Sequence, residues 1–360
     1  MILILDTFFT GSHRYWGEQL KKRLPFPIQL LTLSGKHWKW RMEGGAYELA
    51  QKFKKLSQKP KIIIATDMVN IPLFYAFANI SKDDIPCILY FHENQFAYPI
   101  SKLDTKKTNK RDNHYSFINL TSALFSNHLV FNSEFNRSSF FKGVSDLIKQ
   151  LPKNTLNQNI KDLNSHVIYP GIDYPSSFET VNSSPILLWN HRWEHDKNPE
   201  LFVKGLEFLQ SKSISFKLII LGKGTEKREV ASFFKKNFKD ELIHCGYVET
   251  RKNYIDLIAQ ATHIPVTSKH DFFGLSVAEA MSYGCFAILP NHQAYPEHLL
   301  ENEQSGTVYN FPNDYFQTLE NSIKHQNKSK VKEKFFFEQV TKKWIELLES
   351  TTQIIKREQL

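Results

Sequence analysis

Two stretches of the 360-residue sequence gather side chains suited to an anionic, hydroxyl-rich ligand. Leu187–Pro199 reads LLWNHRWEHDKNP and sets Arg192 and Lys197 between an apolar run and a helix start at Asn198-Pro199. Arginine grips phosphate oxygens in a bidentate fork and lysine adds a compact charge, so the pair suits a diphosphate. The plainer reading is a charged loop in which Arg192 pairs with Glu194. Asn198 is a favoured N-cap residue, and Pro199 fits the first helical position. Lys269–Tyr283 reads KHDFFGLSVAEAMSY, with Asp271 and Glu279 eight positions apart. Gly274 permits close backbone approach, and the amides from Leu275 onward, at a helix start, form an anion site. On this layout Asp271 faces a sugar and Glu279, one turn into the helix, faces a diol; the plainer reading leaves Glu279 exposed to solvent.

Other signals are less specific. Gly222 and Gly224 follow an apolar run and either admit a nucleotide or simply turn the chain, while Tyr247 is placed to flank a base. In the first half, Gly11 and His13 follow the run Ile2–Leu5, and Ile88–Phe91 ends in His92-Glu93-Asn94-Gln95. A histidine at a strand's carboxyl end is a hydrogen-bond donor for substrate, or a histidine satisfied by its neighbours. Trp38 and Trp40 alternate with Lys39 and Arg41, a pattern that suits base stacking with phosphate contact, or packing under a loop. The segment 101–111 holds five basic residues, among them Lys106, Lys107 and Arg111, against a single Asp.

The elements that must position these residues follow from periodicity. Short continuous apolar runs alternate with helically spaced stretches such as His13–Leu24, Ala46–Leu56, Pro199–Leu209 and Ser276–Tyr283. Continuous runs indicate strands covered on both faces, so the expected fold class is α/β, with two doubly wound parallel sheets. One series of runs ends at Leu129–Phe131 and a second begins at Val167–Tyr169. The Pro- and Ser-rich Tyr169–Pro185 breaks the alternation once, giving 1–170 as the first domain, 171–185 as linker and 186–330 as the second. A charged, Phe-rich helical pattern over 331–360 is expected to pack back across the domains. Ligands of such sheets bind outside the carboxyl ends of the strands.

A net charge of +9 and pI near 9.1 point to an anionic partner. The three cysteines show no metal-ligand spacing, which argues against a disulfide framework or a zinc site. No DxD motif is present to clamp a metal on a diphosphate, so Arg192, Lys197 and a helix dipole would carry that charge, with no cofactor required. The opening MILILD reads as a buried strand, and no apolar run approaches the ~20 residues of a membrane helix, so a soluble cytoplasmic protein without membrane contact is expected. Oligomeric state is not legible.

The Arg…Lys pair with the spaced carboxylates resembles the retaining family-4 type of GT-B glycosyltransferases, two Rossmann-like domains facing a cleft. That resemblance implies that Arg192 and Lys197 hold the donor diphosphate, Asp271 faces the sugar and Glu279 binds the ribose diol. This chain departs in having Asp271 where Glu is usual and a single glycine, Gly11, where paired glycines are usual. The motifs GSH, KxWxWR, YFHENQ, FNSxFN, WxHRWEHDKxP and DFFG…EA…GC together resemble a narrower family, the tRNA-queuosine mannosyltransferases. It implies transfer of mannose from GDP-mannose to the cyclopentenediol of queuosine in the anticodon of an aspartate tRNA, with Asp271, His92 and Arg192 catalytic. The donor would meet Arg192, Lys197, Gly222, Tyr247, Gly274, Leu275, Glu279 and Gly11. The tRNA would meet His13, Trp38, Trp40, Arg41, Glu93, Asn94, Lys106, Lys107 and Arg111. Rival expectations are the same chemistry on a polysaccharide or lipid-linked acceptor, a non-catalytic tRNA-binding protein on a degenerate transferase scaffold, and a GT-B epimerase or phosphorylase.

Overall fold

The structure is a computed structural model that describes residues 1–99, 113–152, 156, 160, 162–175, 184–300, 305–324 and 331–358. The basic segment with Lys106, Lys107 and Arg111, and residues 176–183 of the expected linker, lie outside the described residues. The chain divides into two compact units, Met1–Gly171 with Glu338–Leu360, and Ile172–Phe337.

In the first unit, strands β1 (Ile2–Phe9), β2 (Ile28–Ser34), β3 (Ile62–Thr66), β4 (Cys87–Phe91), β5 (His128–Phe131) and β6 (Ser165–Val167) form one parallel sheet in the order β2-β1-β3-β4-β5-β6. Helices α1 (Gly11–Arg23), α2 (Trp38–Phe53), α3 (Ile71–Ala78), α4 (His114–Phe125) and α5 (Glu134–Ile148) lie between them. Every residue of β3 and β4 is buried, as two-sided cover requires. Leu3, Leu5, Ile63 and Ala65 enter one core cluster, which leaves Ile2, Ile4, Ile62 and Ile64, also buried, for the opposite face.

The second unit repeats the plan with β7 (Ile186–Trp189), β8 (Lys217–Ile220), β9 (Leu242–Cys245), β10 (His263–Pro265), β11 (Phe286–Pro290) and β12 (Gly306–Tyr309), in the order β12-β11-β10-β7-β8-β9. Its helices are α6 (Pro199–Ser211), α7 (Arg228–Asn237), α8 (Arg251–Ile258), α9 (Leu275–Ser282) and α10 (Tyr315–Ile323). The final helix, α11 (Phe337–Glu358), returns to the first unit, where Trp344 is fully buried with its ring 6.1 Å from Trp16 and 5.8 Å from Tyr90.

Four local expectations differ from the structure. The strand expected to open the second series is β6, which pairs with β5 and closes the first sheet. It is only half-buried, so its apolar content does not reveal which sheet it joins. Edge strand β12 leaves no clear mark in the sequence for the same reason, since Thr307 and Val308 are not buried. Helix α2 begins at Trp38, eight residues before the expected Ala46, because Gly44-Gly45 interrupts its pattern. A Cβ on Gly45 would stand 2.6 Å from the Thr7 side chain, so this glycine permits close helix-on-strand packing. Asn198 does precede α6, but its side chain makes no cap bond; it adopts φ 52°, ψ 57°, the left-handed conformation Asn tolerates.

Each strand order reverses once, between β1 and β3 in the first sheet and between β7 and β10 in the second. Chains leaving a sheet on either side of such a reversal part to opposite faces and open a crevice at the carboxyl edge. Both groups of candidate residues lie at these two places.

Candidate functional site

At the second reversal, the loop after β7 carries Asn190, His191, Arg192 and Lys197, and the loop after β10 carries Asp271. Lys197 is buried, and its Nζ donates to Asp271 Oδ2 at 2.9 Å and to the His270 carbonyl at 2.9 Å, with Asp196 Oδ2 at 3.2 Å. Burial works against its charge, but Asp271 and Asp196 outweigh that and raise its pKa. Asp271 is held well below the usual carboxylate range; burial opposes this, and Lys197 overcomes it. Its Oδ1 accepts from the amides of Gly274 (2.9 Å) and Phe273 (3.3 Å), while its Oδ2 also accepts from Tyr295 at 3.4 Å. Asp271 thus fixes Lys197 and the turn into α9, which leaves it poorly placed as a nucleophile. Arg192 is half-exposed and pairs with Glu194 at 2.9 Å and Asp196 at 3.7 Å, the plainer pairing read from the sequence.

Helix α9 starts behind Gly274 at φ 87°, so the amides of Leu275 and Ser276 open toward this loop. His191 Nδ1 lies 3.0 Å from Ser276 Oγ, and Asn190 donates to the Ser276 carbonyl at 2.8 Å. Burial, aided by Lys197, lowers His191 to about 4, so it is neutral at physiological pH. Glu279 is buried on α9, paired with Arg251 at 2.5 Å and accepting from Tyr254 at 3.3 Å. Tyr254 also accepts from Asn190 at 3.1 Å, so α8, α9 and the β7 loop share one network. Gly222 (φ 98°) packs its Cα against the His191 carbonyl, where a Cβ would collide. Tyr247 stands 55% exposed beyond β9.

The first reversal holds a different chemistry. Asp6 near the end of β1, Asp67 just past β3 and His92 just past β4 are all buried, and His13 reaches them from α1. His13 Nδ1 meets Asp6 Oδ2 at 2.9 Å, and its ring stacks on His92 with centroids 3.9 Å apart at 25°. Burial disfavours the His13 charge, yet Asp6, with Asp67 and Glu93, outweighs it and raises its pKa to about 9. Burial and then the His13 charge push His92 well below its ordinary value. A charged imidazole therefore lies under a neutral one. Among the described residues, Asp6, His13 and His92 are close enough to share a metal, but their face-to-face rings fit one poorly: an ion between them would lie outside both ring planes. Gly11 (φ 52°) has open space where a Cβ would stand.

The loop His92–Gln95 is set by residues to which the sequence alone assigns no role. Asn132 donates to the His92 carbonyl at 2.7 Å, Asn136 to the Phe91 carbonyl at 3.1 Å, and Asn119 accepts from the Gln95 amide at 2.8 Å. Asn94, expected to meet the acceptor, is fully buried; it donates to Asn136 and Ser139, and its Oδ1 accepts from the amides of Phe96 and Ala97. It braces the loop from within. FNSxFN is thus the clamp of YFHENQ, a relation invisible until β4 and β5 lie side by side.

Trp38 and Trp40 do not form one platform, because residues two apart on a helix point about 200° from each other. Trp38 packs on Tyr115 (5.0 Å) near Met42, whereas Trp40 is 56% exposed. Arg41 is tied to Glu48 at 3.1 Å and to Ser34. No helix among the described residues is long and apolar enough to cross a membrane.

Residues 1–172 match the family described as tRNA-queuosine alpha-mannosyltransferase N-terminal, and residues 174–333 match glycosyl transferases group 1. The tRNA-queuosine alpha-mannosyltransferase of Drosophila melanogaster is 28% identical over 314 residues, covering 82% of this chain and 81% of that protein. Among solved structures, Anabaena HepE in complex with UDP aligns with a TM-score of 0.68 at 13% identity, over 97% of this chain and 99% of that one. Sucrose-phosphate synthase from Thermosynechococcus elongatus aligns with a TM-score of 0.68 at 12% identity, over 98% and 100%. These likenesses show the GT-B fold. The chain is therefore a glycosyltransferase, similar in its first half to the N-terminal part of the tRNA-queuosine alpha-mannosyltransferases and over most of its length to a curated member of that family.

Proposed function

We propose that the enzyme transfers mannose from GDP-mannose to the cyclopentenediol of queuosine at the anticodon of an aspartate tRNA, in the cytoplasm, with retention at the anomeric carbon and without a metal. The observation that carries this reading is the joint match of the first unit to the tRNA-queuosine mannosyltransferases and of the second to the group 1 transferases.

The donor belongs at the second reversal. The start of α9 and the half-exposed Arg192 take the diphosphate, and Glu279 takes the ribose diol. Arg192 gives up Glu194 readily, because exposed ion pairs are worth only about 0–1 kcal/mol. Lys197 supplies fixed positive charge from below; its three protons already have acceptors, and a phosphate would replace Asp196, the longest of them. Charge on the leaving diphosphate then meets preorganised donors as it develops. The acceptor belongs at the first reversal, with His92 beside the reacting hydroxyl. Retention proceeds without Asp271 as nucleophile, since both of its oxygens are engaged.

The test is a transfer assay with GDP-mannose and queuosine-containing tRNA, read by nucleoside mass spectrometry. A hexose added to queuosine, and none on the same tRNA lacking it, is the expected result. Preserved sugar-nucleotide binding with no product on either tRNA would discard the acceptor and keep the transferase.

A further inference from the structure

The carboxylates at the first reversal are not all neutralised from within. Asp6 is paired with His13, whereas Asp67, 0% exposed, is different. Its Oδ1 accepts from the His92 amide at 2.8 Å, and its Oδ2 has no hydrogen-bond partner. The ring of His92, whose amide makes that bond, likewise has its Nε2 buried and without a partner. A buried carboxylate oxygen without a donor is costly, so a site that keeps one invites a partner from outside. Burial, with Glu93 next, raises the Asp67 carboxyl well above the usual range, and a cation at Oδ2 would oppose that shift.

We infer that Asp67 Oδ2 and His92 Nε2 form an ammonium-recognising subsite, which reads a protonated amine on the acceptor next to the hydroxyls that receive the sugar. Both atoms can accept a hydrogen bond, and with Asp6, Asp67 and Glu93 set against the single cation His13 the cluster is short of positive charge, which favours an N–H cation over a phosphate or a neutral hydroxyl. Their position suits an incoming substrate, since the reversal is where open α/β sheets take ligands. Both atoms are covered from solvent, and Glu93 is the one acidic member of the cluster not fully buried, so it is the side chain that must give way on entry. The inference rests on the acceptor proposed above and calls for a basic nitrogen beside the diol of that acceptor.

Asp67→Asn separates this role from a structural one. Asparagine keeps the Oδ1 acceptor for the His92 amide and replaces only the unpartnered oxygen, so the melting temperature should hold or rise. The quantity to measure is the affinity ratio between queuosine-containing tRNA and the same tRNA lacking it, for both proteins, with and without EDTA. Loss of one charged hydrogen bond should lower the ratio about tenfold to a hundredfold in D67N, with GDP affinity unchanged. An unchanged ratio, or a clearly lower melting temperature, overturns the inference. So does a ratio that EDTA abolishes in the native protein, because the cation would then be a metal. Absence of any discrimination or transfer by the native protein would instead remove the acceptor reading itself.

Discussion

The two sheet reversals occupy equivalent places in equivalent folds, yet they treat charge in opposite ways. At the second, Arg192, Lys197 and Arg251 all face carboxylates, and Asp271 and Glu279 are both held by cations. At the first, one ion pair, His13 with Asp6, is stacked under a neutral histidine, and a buried carboxylate oxygen is left without a donor. A paired site exchanges partners when an anion arrives; a site with an unmatched acceptor waits for a donor. The topology of the two reversals is the same, and the residues just past each strand give them opposite charge balances.

The sharpest way to break this contrast is to unpair the second site. Lys197→Ala strands Asp271 and should cost about 3–5 kcal/mol in denaturant unfolding. Arg192→Ala, at a half-exposed position, should stay within about 0.5 kcal/mol while abolishing transfer and leaving tRNA binding intact. Equal stability of the two variants would show that Lys197 is not the buried anchor.

The first site should respond to pH. The folded pKa of His13 is raised, so its stabilisation is fully present below the unfolded value and is lost as pH rises from about 6.5 through about 9. His92, with a lowered pKa, acts only below the unfolded value and leaves this window untouched. Up to about 3 kcal/mol should disappear across it in the native chain and far less in His13→Gln, measured as unfolding free energy at stepped pH. A parallel decline in both proteins would dissolve the His13–Asp6 pair as its source.

Smaller effects sharpen the division of labour. Glu279→Ala should weaken GDP binding by about 1–3 kcal/mol in calorimetry without altering tRNA affinity. Neutralising Lys106, Lys107, Lys110 and Arg111 should flatten the salt dependence of tRNA affinity, by up to about 0.9 in log–log slope for each phosphate that no longer meets a cation. An unchanged slope would take that segment off the RNA.

How much of this the sequence discloses depends on the range of the interactions. Continuous apolar runs such as Ile88–Phe91 reveal two-sided burial directly, and so the α/β class. Arg192, Lys197, Asp271 and Glu279 stand in two compact motifs and are legible as a group. Their pairings are not: Lys197 and Asp271 lie 74 residues apart and meet only because β7 and β10 are neighbours. Arg251 and Tyr254, the partners of Glu279, sit on an unremarkable helix. Asp6 and Asp67 draw no notice in the sequence although each follows an apolar strand core, the very signal that singles out His92. Asn94 shows the opposite error, a polar residue in a motif that serves the backbone around it.

The return of α11 has a consequence for how the protein is made. Trp344 packs in the core against the stacked rings of Trp16 and Tyr90, yet it is synthesised after the whole of Ile172–Phe337. On the ribosome the earlier unit must wait, lacking one of its largest core side chains, while the later one has already emerged. The order of birth is thus the reverse of the order of completion, and a chain released before Trp344 would carry an unfinished first unit and a finished second one.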